Sequence, residues 1–227
     1  MTSSTSSAGR ASAGTVPTGE NDIHLAPRPT GISSGRLEAF SDGVFSIAAT
    51  LLVLELHVPT DTSGPLAQAL LAEWPSYASY VVSFVTIGII WVNHHALFAN
   101  VRRVDRTLLF LNLLLLLSVS TIPFPTALLG RYIGLGDASH LAAAIYGGVM
   151  VFMSLAFSAL WLHVTRDARL IAAHVDPRRA RADGRLFSIG LIGYVLSIGV
   201  AFVSAEISLL MYALIAVFYI FPWLPEP

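Results

Sequence analysis

Six long apolar segments constrain the fold of this chain more than any other feature of its sequence. A helix needs about 20 apolar residues to cross roughly 30 Å of membrane hydrocarbon, and each segment is close to that length or longer. None of them shows the alternating pattern of a membrane-spanning β-strand. We therefore predict an all-α membrane protein that crosses the bilayer six times. The predicted spans are residues 36–56, 77–99, 106–129, 141–164, 186–203 and 207–223.

The composition agrees with a membrane protein. Of the 227 residues, 55% are hydrophobic and 12% are charged, and the mean hydropathy is +0.70, whereas a soluble domain carries about 25% charged residues. The absence of cysteine excludes disulfides, thiolate metal sites and cysteine nucleophiles. Residues 1–34 differ from the rest because they are rich in Ser, Thr, Gly, Ala and Pro, so we expect a disordered tail there. A six-helix membrane domain is expected at residues 35–227.

The distribution of arginine predicts the orientation of the chain. All 13 basic residues are arginines, and only Arg131 falls in a loop on the side opposite to the termini. Basic residues stay on the cytoplasmic side of a membrane, so we expect both termini, and the tail, in the cytoplasm. The lack of lysine and the abundance of Ala, Arg and Gly suggest a bacterial source with GC-rich DNA. The predicted location is therefore the bacterial plasma membrane.

Polar side chains inside apolar spans are costly and usually functional. Asp42 lies about two turns into the first span, where a carboxylate needs a hydrogen-bond partner on another helix. The candidates at a similar depth in the second span are Trp91, Asn93 and His94. A structural knot of polar side chains and a proton or ion relay are both open for this group. Glu38, nearer the end of the span, is expected to pair with Arg36 at the membrane interface.

The sequence contains no motif typical of catalysis or of metal binding. His94 and His95 are adjacent, so they point to different faces of a helix, whereas two ligands of one metal need a spacing of three or four residues. There is no Gly-x-Ser-x-Gly elbow, no His-Glu-x-x-His helix and no phosphate-binding P-loop. We expect neither an enzyme activity nor a metal site nor a cofactor.

One face of the first span carries a row of large aliphatic side chains. Ile47, Leu51 and Leu54 follow an i, i+4, i+7 spacing and lie on one stripe of a helix, and Thr50 lies on the stripe beside it. Such a row suits contact with lipid or packing against another helix as well as a pore. The periodicity alone does not choose between these possibilities.

The first span resembles the corresponding helix of the transmembrane protein 175 family. Residues 36–42, Arg-Leu-Glu-Ala-Phe-Ser-Asp, match the Arg-x-x-x-Phe-Ser-Asp signature of that family, and the sequence Gly-Val-Phe-Ser-Ile-Ala-Ala-Thr that follows is also similar. Members of the family are potassium-permeable channels of lysosomes and bacteria. The resemblance implies a homotetramer of six-helix chains in which the first helix lines the pore, without the Thr-Val-Gly-Tyr-Gly filter of other potassium channels.

The resemblance also assigns roles to individual residues. It implies that Ile47, Leu51 and Leu54 form a hydrophobic constriction and that Thr50 adds a layer of hydroxyl groups. It further implies a structural motif made of Arg36, Phe40, Ser41, Asp42, Trp91, Asn93 and His94. The implied permeant species are potassium and other monovalent cations, and the implied partners are further copies of the chain and the lipid bilayer.

A pore of this kind selects ions without a cage of carbonyl groups. A ring of Leu or Ile side chains blocks ions when the neck is too narrow to stay wet. Potassium holds its water less tightly than sodium, so we expect weak to moderate potassium selectivity. Glu55 either raises the cation concentration at the outer mouth or lies solvated among the lipid headgroups. The alternative functions are a proton channel or proton-coupled transporter that uses Asp42 and His94, and a membrane protein that conducts nothing.

Overall fold

The computed structural model describes residues 33–59, 64–172 and 184–220, and within these ranges the chain forms eight α-helices. The disordered tail predicted at the N-terminus lies outside the described residues except for its last two positions. A 3₁₀ turn, Leu52–Glu55, continues the first helix. The helices are α1 (Ser34–Leu51), α2 (Leu66–Ala72), α3 (Trp74–Ala99), α4 (Arg106–Thr121), α5 (Pro123–Tyr132), α6 (Asp137–Arg166), α7 (Arg185–Ala201) and α8 (Ala205–Ile220).

Within the described residues, each of the six predicted spans overlaps helical structure. Among the residues that the structure describes, four stretches are long and apolar enough to cross a membrane, namely Ser34–Glu55, Trp74–Ala99, Arg106–Tyr132 and Asp137–Arg166. The last two predicted spans correspond to shorter apolar helices, Ile189–Ala201 and Ala205–Ile220. That these two helices also cross the bilayer stays a prediction, and so does the orientation of the termini.

Local signals in the sequence explain where the helices begin and break. The Ser33 hydroxyl accepts a hydrogen bond from the backbone N–H of Arg36 and so caps the start of α1. Pro123 has no N–H to donate to the preceding turn, and α4 ends two residues before it. The third predicted span is therefore divided into α4 and α5 at the prolines. The short helix α2, in the connection between the first and second spans, was not predicted.

Helix α6 is the element against which α4, α5, α7 and α8 all pack. A Cβ atom at Gly147 would collide with the Tyr212 hydroxyl and with Ile198, so this glycine permits the close approach of α7 and α8. The Tyr212 hydroxyl donates a hydrogen bond of 2.9 Å to the backbone carbonyl of Ala143. The small size of Gly147 and the hydrogen bond of Tyr212 therefore hold α6, α7 and α8 together.

Buried hydroxyl groups fix the positions of α3, α5 and α6 relative to one another. The Ser83 oxygen lies 2.7 Å from the Thr126 hydroxyl and 3.0 Å from the Tyr146 hydroxyl, one on each of the other two helices. All three side chains are buried. Because an apolar environment offers no other partners, such bonds hold helices in one register.

The loop between α3 and α4 is joined to the segment that follows α6. The backbone N–H of Arg102 donates to the carbonyl of Leu170 over 2.7 Å, and His163 of α6 contacts the Asp105 carboxylate at the start of α4 over 3.0 Å. Beyond α6, hydrogen bonds from the Arg169 side chain and backbone lower the pKa of Asp167 to about 2. This end of the protein, at which α1 begins, is therefore held by polar contacts between its loops.

Candidate pore helix and its polar contacts

Helix α1 buries one face against α3 and α4. The buried side chains follow a spacing of four, four, three and four residues, which is one stripe of a helix. They are Leu37, Ser41, Phe45, Ala48 and Leu52, each at most 5% exposed. This stripe fixes which way the rest of the helix faces.

The opposite face of α1 is uncovered within one protomer. Ile47 is 60% exposed, Leu51 42% and Leu54 69%. Of the 18 most apolar consecutive residues in Ser34–Glu55, only 28% are buried. In the other three long apolar stretches this share is 44–50%. The three residues predicted to form a constriction thus share the face that the fold leaves open on its least covered long helix.

The 3₁₀ turn at the end of α1 brings two of these residues into line. Side chains three residues apart eclipse one another in a 3₁₀ helix, so Leu54 follows Leu51 along the same line. Thr50 is also exposed, but its hydroxyl donates to the backbone carbonyls of Ser46 and Ile47, each over 2.9 Å. The Thr50 hydroxyl therefore lies against its own helix, and only its oxygen lone pairs are available to a neighbour.

Glu55 lies at the other end of α1, in an open crevice of about 380 Å³. His57, Glu73 and Arg131 also line this crevice, so the carboxylates share it with the basic residue that the sequence places on this side. The crevice contains groups of both charge signs. Glu55 itself is half-buried within the protomer.

Asp42 and Trp91 are brought together by the packing of α1 against α3. The indole Nε1–H of Trp91 donates to Asp42 Oδ1 over 2.8 Å. This is one of the three partners that depth in the membrane had suggested for the carboxylate. A charged acceptor strengthens such a bond relative to a neutral pair.

A second set of hydrogen bonds, in which each side chain bonds to the next, lies deeper, where α1, α3 and α4 meet. The Asn112 amide donates from Nδ2 to the Ser41 hydroxyl over 2.9 Å, and Ser41 donates to the Leu37 carbonyl over 2.9 Å. Asn112 Oδ1 therefore faces His94 Nε2, which lies 2.8 Å away and donates to it. Ser41, His94 and Asn112 are all fully buried. The donors all point the same way: the imidazole donates to the amide, the amide to the hydroxyl, and the hydroxyl to a backbone carbonyl.

Glu38 pairs with His95, and among the described residues it makes no ion pair with Arg36. The distance from His95 Nδ1 to Glu38 Oε1 is 2.7 Å. His95 stacks on Trp91, one turn earlier on α3. Glu38 and Asp42 on α1 thus face His95 and Trp91 on α3, because side chains four residues apart lie on the same face of a helix.

Three residues of the predicted structural motif lie apart from these contacts. The side chains of Arg36 and Phe40 are exposed, Phe40 at 55%. Asn93 donates to the carbonyl of Ile89 in its own helix over 2.8 Å and lines a cavity on another side of α3. The structure therefore does not bring Asn93 to Asp42, although the two residues lie at a similar depth.

Sequence reasoning did not assign a role to Asn112 or His95. Asn112 is a polar residue inside a run of eleven positions, 107–117, that is otherwise almost entirely leucine, and this isolation was the available signal. His95 received no role because it was considered only as a metal ligand next to His94, and that possibility was rejected. Within the described residues, no group of three histidine or acidic side chains is placed to hold a metal ion.

Comparisons with known proteins identify the family of this chain. Residues 36–123 match the family model described as endosomal/lysosomal potassium channel TMEM175. A protein of Streptomyces collinus named a potassium channel is 55% identical over 195 residues, which cover 86% of this chain and 95% of that protein. The mouse protein named endosomal/lysosomal proton channel TMEM175 is 43% identical over 111 residues, or 45% of this chain and 21% of that protein.

A solved structure agrees with the sequence relatives. The crystal structure of a lysosomal potassium-selective channel TMEM175 homologue from Chamaesiphon minutus superposes with a TM-score of 0.74 at 37% identity, covering 82% of this chain and 96% of that one. These relatives are ion channels, so the prediction that the chain is not an enzyme is confirmed. Identity and coverage together show that the chain belongs to the TMEM175 family.

Proposed function

We propose that this chain forms a homotetrameric, potassium-permeable channel whose pore is lined by the uncovered face of α1. Ile47, Leu51 and Leu54 form a hydrophobic constriction along this face, and Thr50 contributes lone pairs beside it. The permeant species are potassium and other monovalent cations, with weak to moderate preference for potassium. The protein acts in a bacterial plasma membrane with both termini in the cytoplasm.

The observation that carries the proposal is the exposure of α1. An apolar helix that is only 28% buried in its own protomer needs further cover from lipid or from other copies. Its uncovered face contains Gly43, Ser46 and Thr50 among the aliphatic side chains. The uncovered face of α8, by contrast, carries large aliphatic side chains: Ile207, Leu210, Leu214 and Val217. Small and hydroxyl-bearing residues suit a water-filled axis better than hydrocarbon.

The names of the relatives support potassium as the permeant ion. The Streptomyces and Chamaesiphon proteins, which this chain matches over most of its length, are named potassium channels. An apolar neck supplies no carbonyl ligands, so an ion must pass with part of its water shell removed. Potassium gives up that water at lower cost than sodium, and the preference is smaller than in a carbonyl filter.

Proton conduction is the second candidate, because the animal relatives are named proton channels. Its route would use Asp42 and His94. However, the row of hydrogen bonds that links Ser41, Asn112 and His94 ends at His94 Nδ1, which is buried and has no partner among the described residues. The middle member of this row is an amide, Asn112, which has no proton that it readily exchanges. These contacts favour a structural role for the motif, in which α3 and α4 brace α1.

We expect native mass measurement of the purified protein in mild detergent to give a tetramer. One stripe of one helix cannot enclose a pore, and a pore lined by α1 needs several copies around an axis. Detection of a stable monomer or dimer as the only species would contradict this arrangement.

We expect Asp42→Asn to lower stability while the potassium-to-sodium permeability ratio is unchanged. Asparagine still accepts from Trp91, but the bond loses its charge, at a cost of about 1 kcal/mol. The measurement is the midpoint of thermal unfolding together with ion flux in liposomes. A variant that unfolds like the wild type and loses only its proton flux would instead support the relay.

We expect Leu51→Ala in every subunit to raise conductance and to lower the preference for potassium over sodium. The substitution removes four large side chains from one level of the neck, and the dewetting barrier falls as an apolar pore widens. Both quantities are measured in single-channel recordings under bi-ionic conditions.

Leu113→Ala is the matched control for this substitution. Leu113 lies on α4 and is 45% exposed, close to the 42% of Leu51. Leu52 is a poorer control because it is completely buried, and its truncation would cost about 2–5 kcal/mol of stability. Equal effects at Leu51 and Leu113, or none at Leu51, would mean that this face of α1 does not line the pore.

A further inference from the structure

A cavity of about 50 Å³ lies between α3, α6, α7 and α8, away from the face of α3 that holds α1. Most of its lining is apolar and none of it is charged. The residues that line it include Thr86, Ile89, Asn93, Met153, Ser154 and Tyr194. The cavity is partly open to the outside of the protomer.

Three polar groups of this lining have no hydrogen-bond partner among the described residues. The Asn93 amide uses Nδ2 to donate to the Ile89 carbonyl, which leaves its oxygen without a donor. Within the part of the chain that the structure describes, the hydroxyls of Ser154 and Tyr194, 9% and 4% exposed, make no hydrogen bond. The Thr86 hydroxyl differs, because it donates to the Val82 carbonyl over 2.7 Å. An acceptor and two hydroxyls thus converge on one cavity without satisfying one another.

Unpaired polar groups are costly inside a membrane because no bulk water reaches them. A guest hydroxyl suits this set: it can donate its proton to the Asn93 oxygen and accept from Ser154 or Tyr194. A charged guest would find no opposite charge in the lining. A water molecule needs about 10–15 Å³ of such volume, so the cavity encloses a hydroxyl and two or three further heavy atoms, and the rest of a longer alcohol such as butanol extends through its open side.

We propose that this cavity is a binding site for a small neutral alcohol, whose hydroxyl pairs with Asn93, Ser154 and Tyr194 and whose carbon chain lies along Ile89 and Met153. Water offers the same hydroxyl chemistry and occupies the site when no alcohol is present. The site lies on another side of α3 from the contacts to α1. The proposal therefore does not depend on ion conduction.

The test is photolabelling of the full chain in liposomes with a diazirine-bearing butanol, followed by mass spectrometry of the labelled peptides. We expect saturable labelling at the lining residues of α3 and α6, which excess 1-butanol reduces. Labelling that does not saturate, or that falls only on lipid-facing residues such as Leu155, would show that the cavity holds water alone and would overturn the proposal.

Two variants and a control assign the labelling to this cavity. Ser154→Leu fills the space and removes a hydroxyl, so the saturable labelling should disappear. Tyr194→Phe removes one hydroxyl at nearly constant shape and should weaken competition by 1-butanol by about three- to tenfold. Ser158→Leu makes the same change one turn along α6, outside the lining, and should leave labelling intact. Wild-type labelling in both Ser154→Leu and Tyr194→Phe would place the alcohol elsewhere.

Discussion

The hydrogen bonds that tie one side of α1 to α3 and α4 are the interaction on which this structure depends. Ser41 reaches Asn112 and through it His94, and Asp42 reaches Trp91 at the edge of the same contact. In an apolar environment, a polar group that leaves its partner finds no water to replace it. A rotation of α1 by one residue, about 100°, would break the bonds of Ser41 to Asn112 and of Asp42 to Trp91. The bonds therefore fix the rotation of the helix as well as its position.

A fixed rotation has consequences for the opposite face. With Ser41 and Phe45 buried, Ile47, Leu51 and Leu54 must point away from the protomer. A neck made of aliphatic side chains can block ions only if its width is closely controlled, because the dewetting barrier changes steeply with radius. In the channel that we propose, the polar contacts of α1 would supply that control without placing a charge in the neck. The polar contacts at one end of the helix and the proposed constriction along it would thus be two parts of one arrangement.

The sequence predicts the helices well because span length and apolar composition are local properties. It also predicts a partner for Asp42, since depth along two antiparallel helices can be counted in residues. It does not predict that Asn112 would join Ser41 to His94, because that contact depends on the packing of a third helix. The error for Asn93 has a different cause. Asn93 lies about 200° around α3 from Trp91, so equal depth did not mean the same face.

Glu38 illustrates the limit of pairing residues by their distance in sequence. Arg36 is two positions away and points to a different face of α1, whereas His95 comes from α3 and lies 2.7 Å from the carboxylate. The 3₁₀ turn that aligns Leu54 with Leu51 is likewise a tertiary effect, because nothing in the run Leu-Val-Leu-Glu marks it. The family resemblance is therefore the ground for proposing α1 as the pore helix, and only packing shows which of its faces is open.

The central claim is that the face of α1 carrying Ile47, Leu51 and Leu54 lines a water-filled axis. The chain has no cysteine, so single cysteines can be introduced at each position of 46–54 and treated with a charged, membrane-impermeant thiol reagent during potassium flux. If this face lines the axis, we expect block at Ile47→Cys, Leu51→Cys and Leu54→Cys, and none at Ala48→Cys, which is buried. Block without this periodicity, or no block at any α1 position while the wild-type channel conducts, would contradict it.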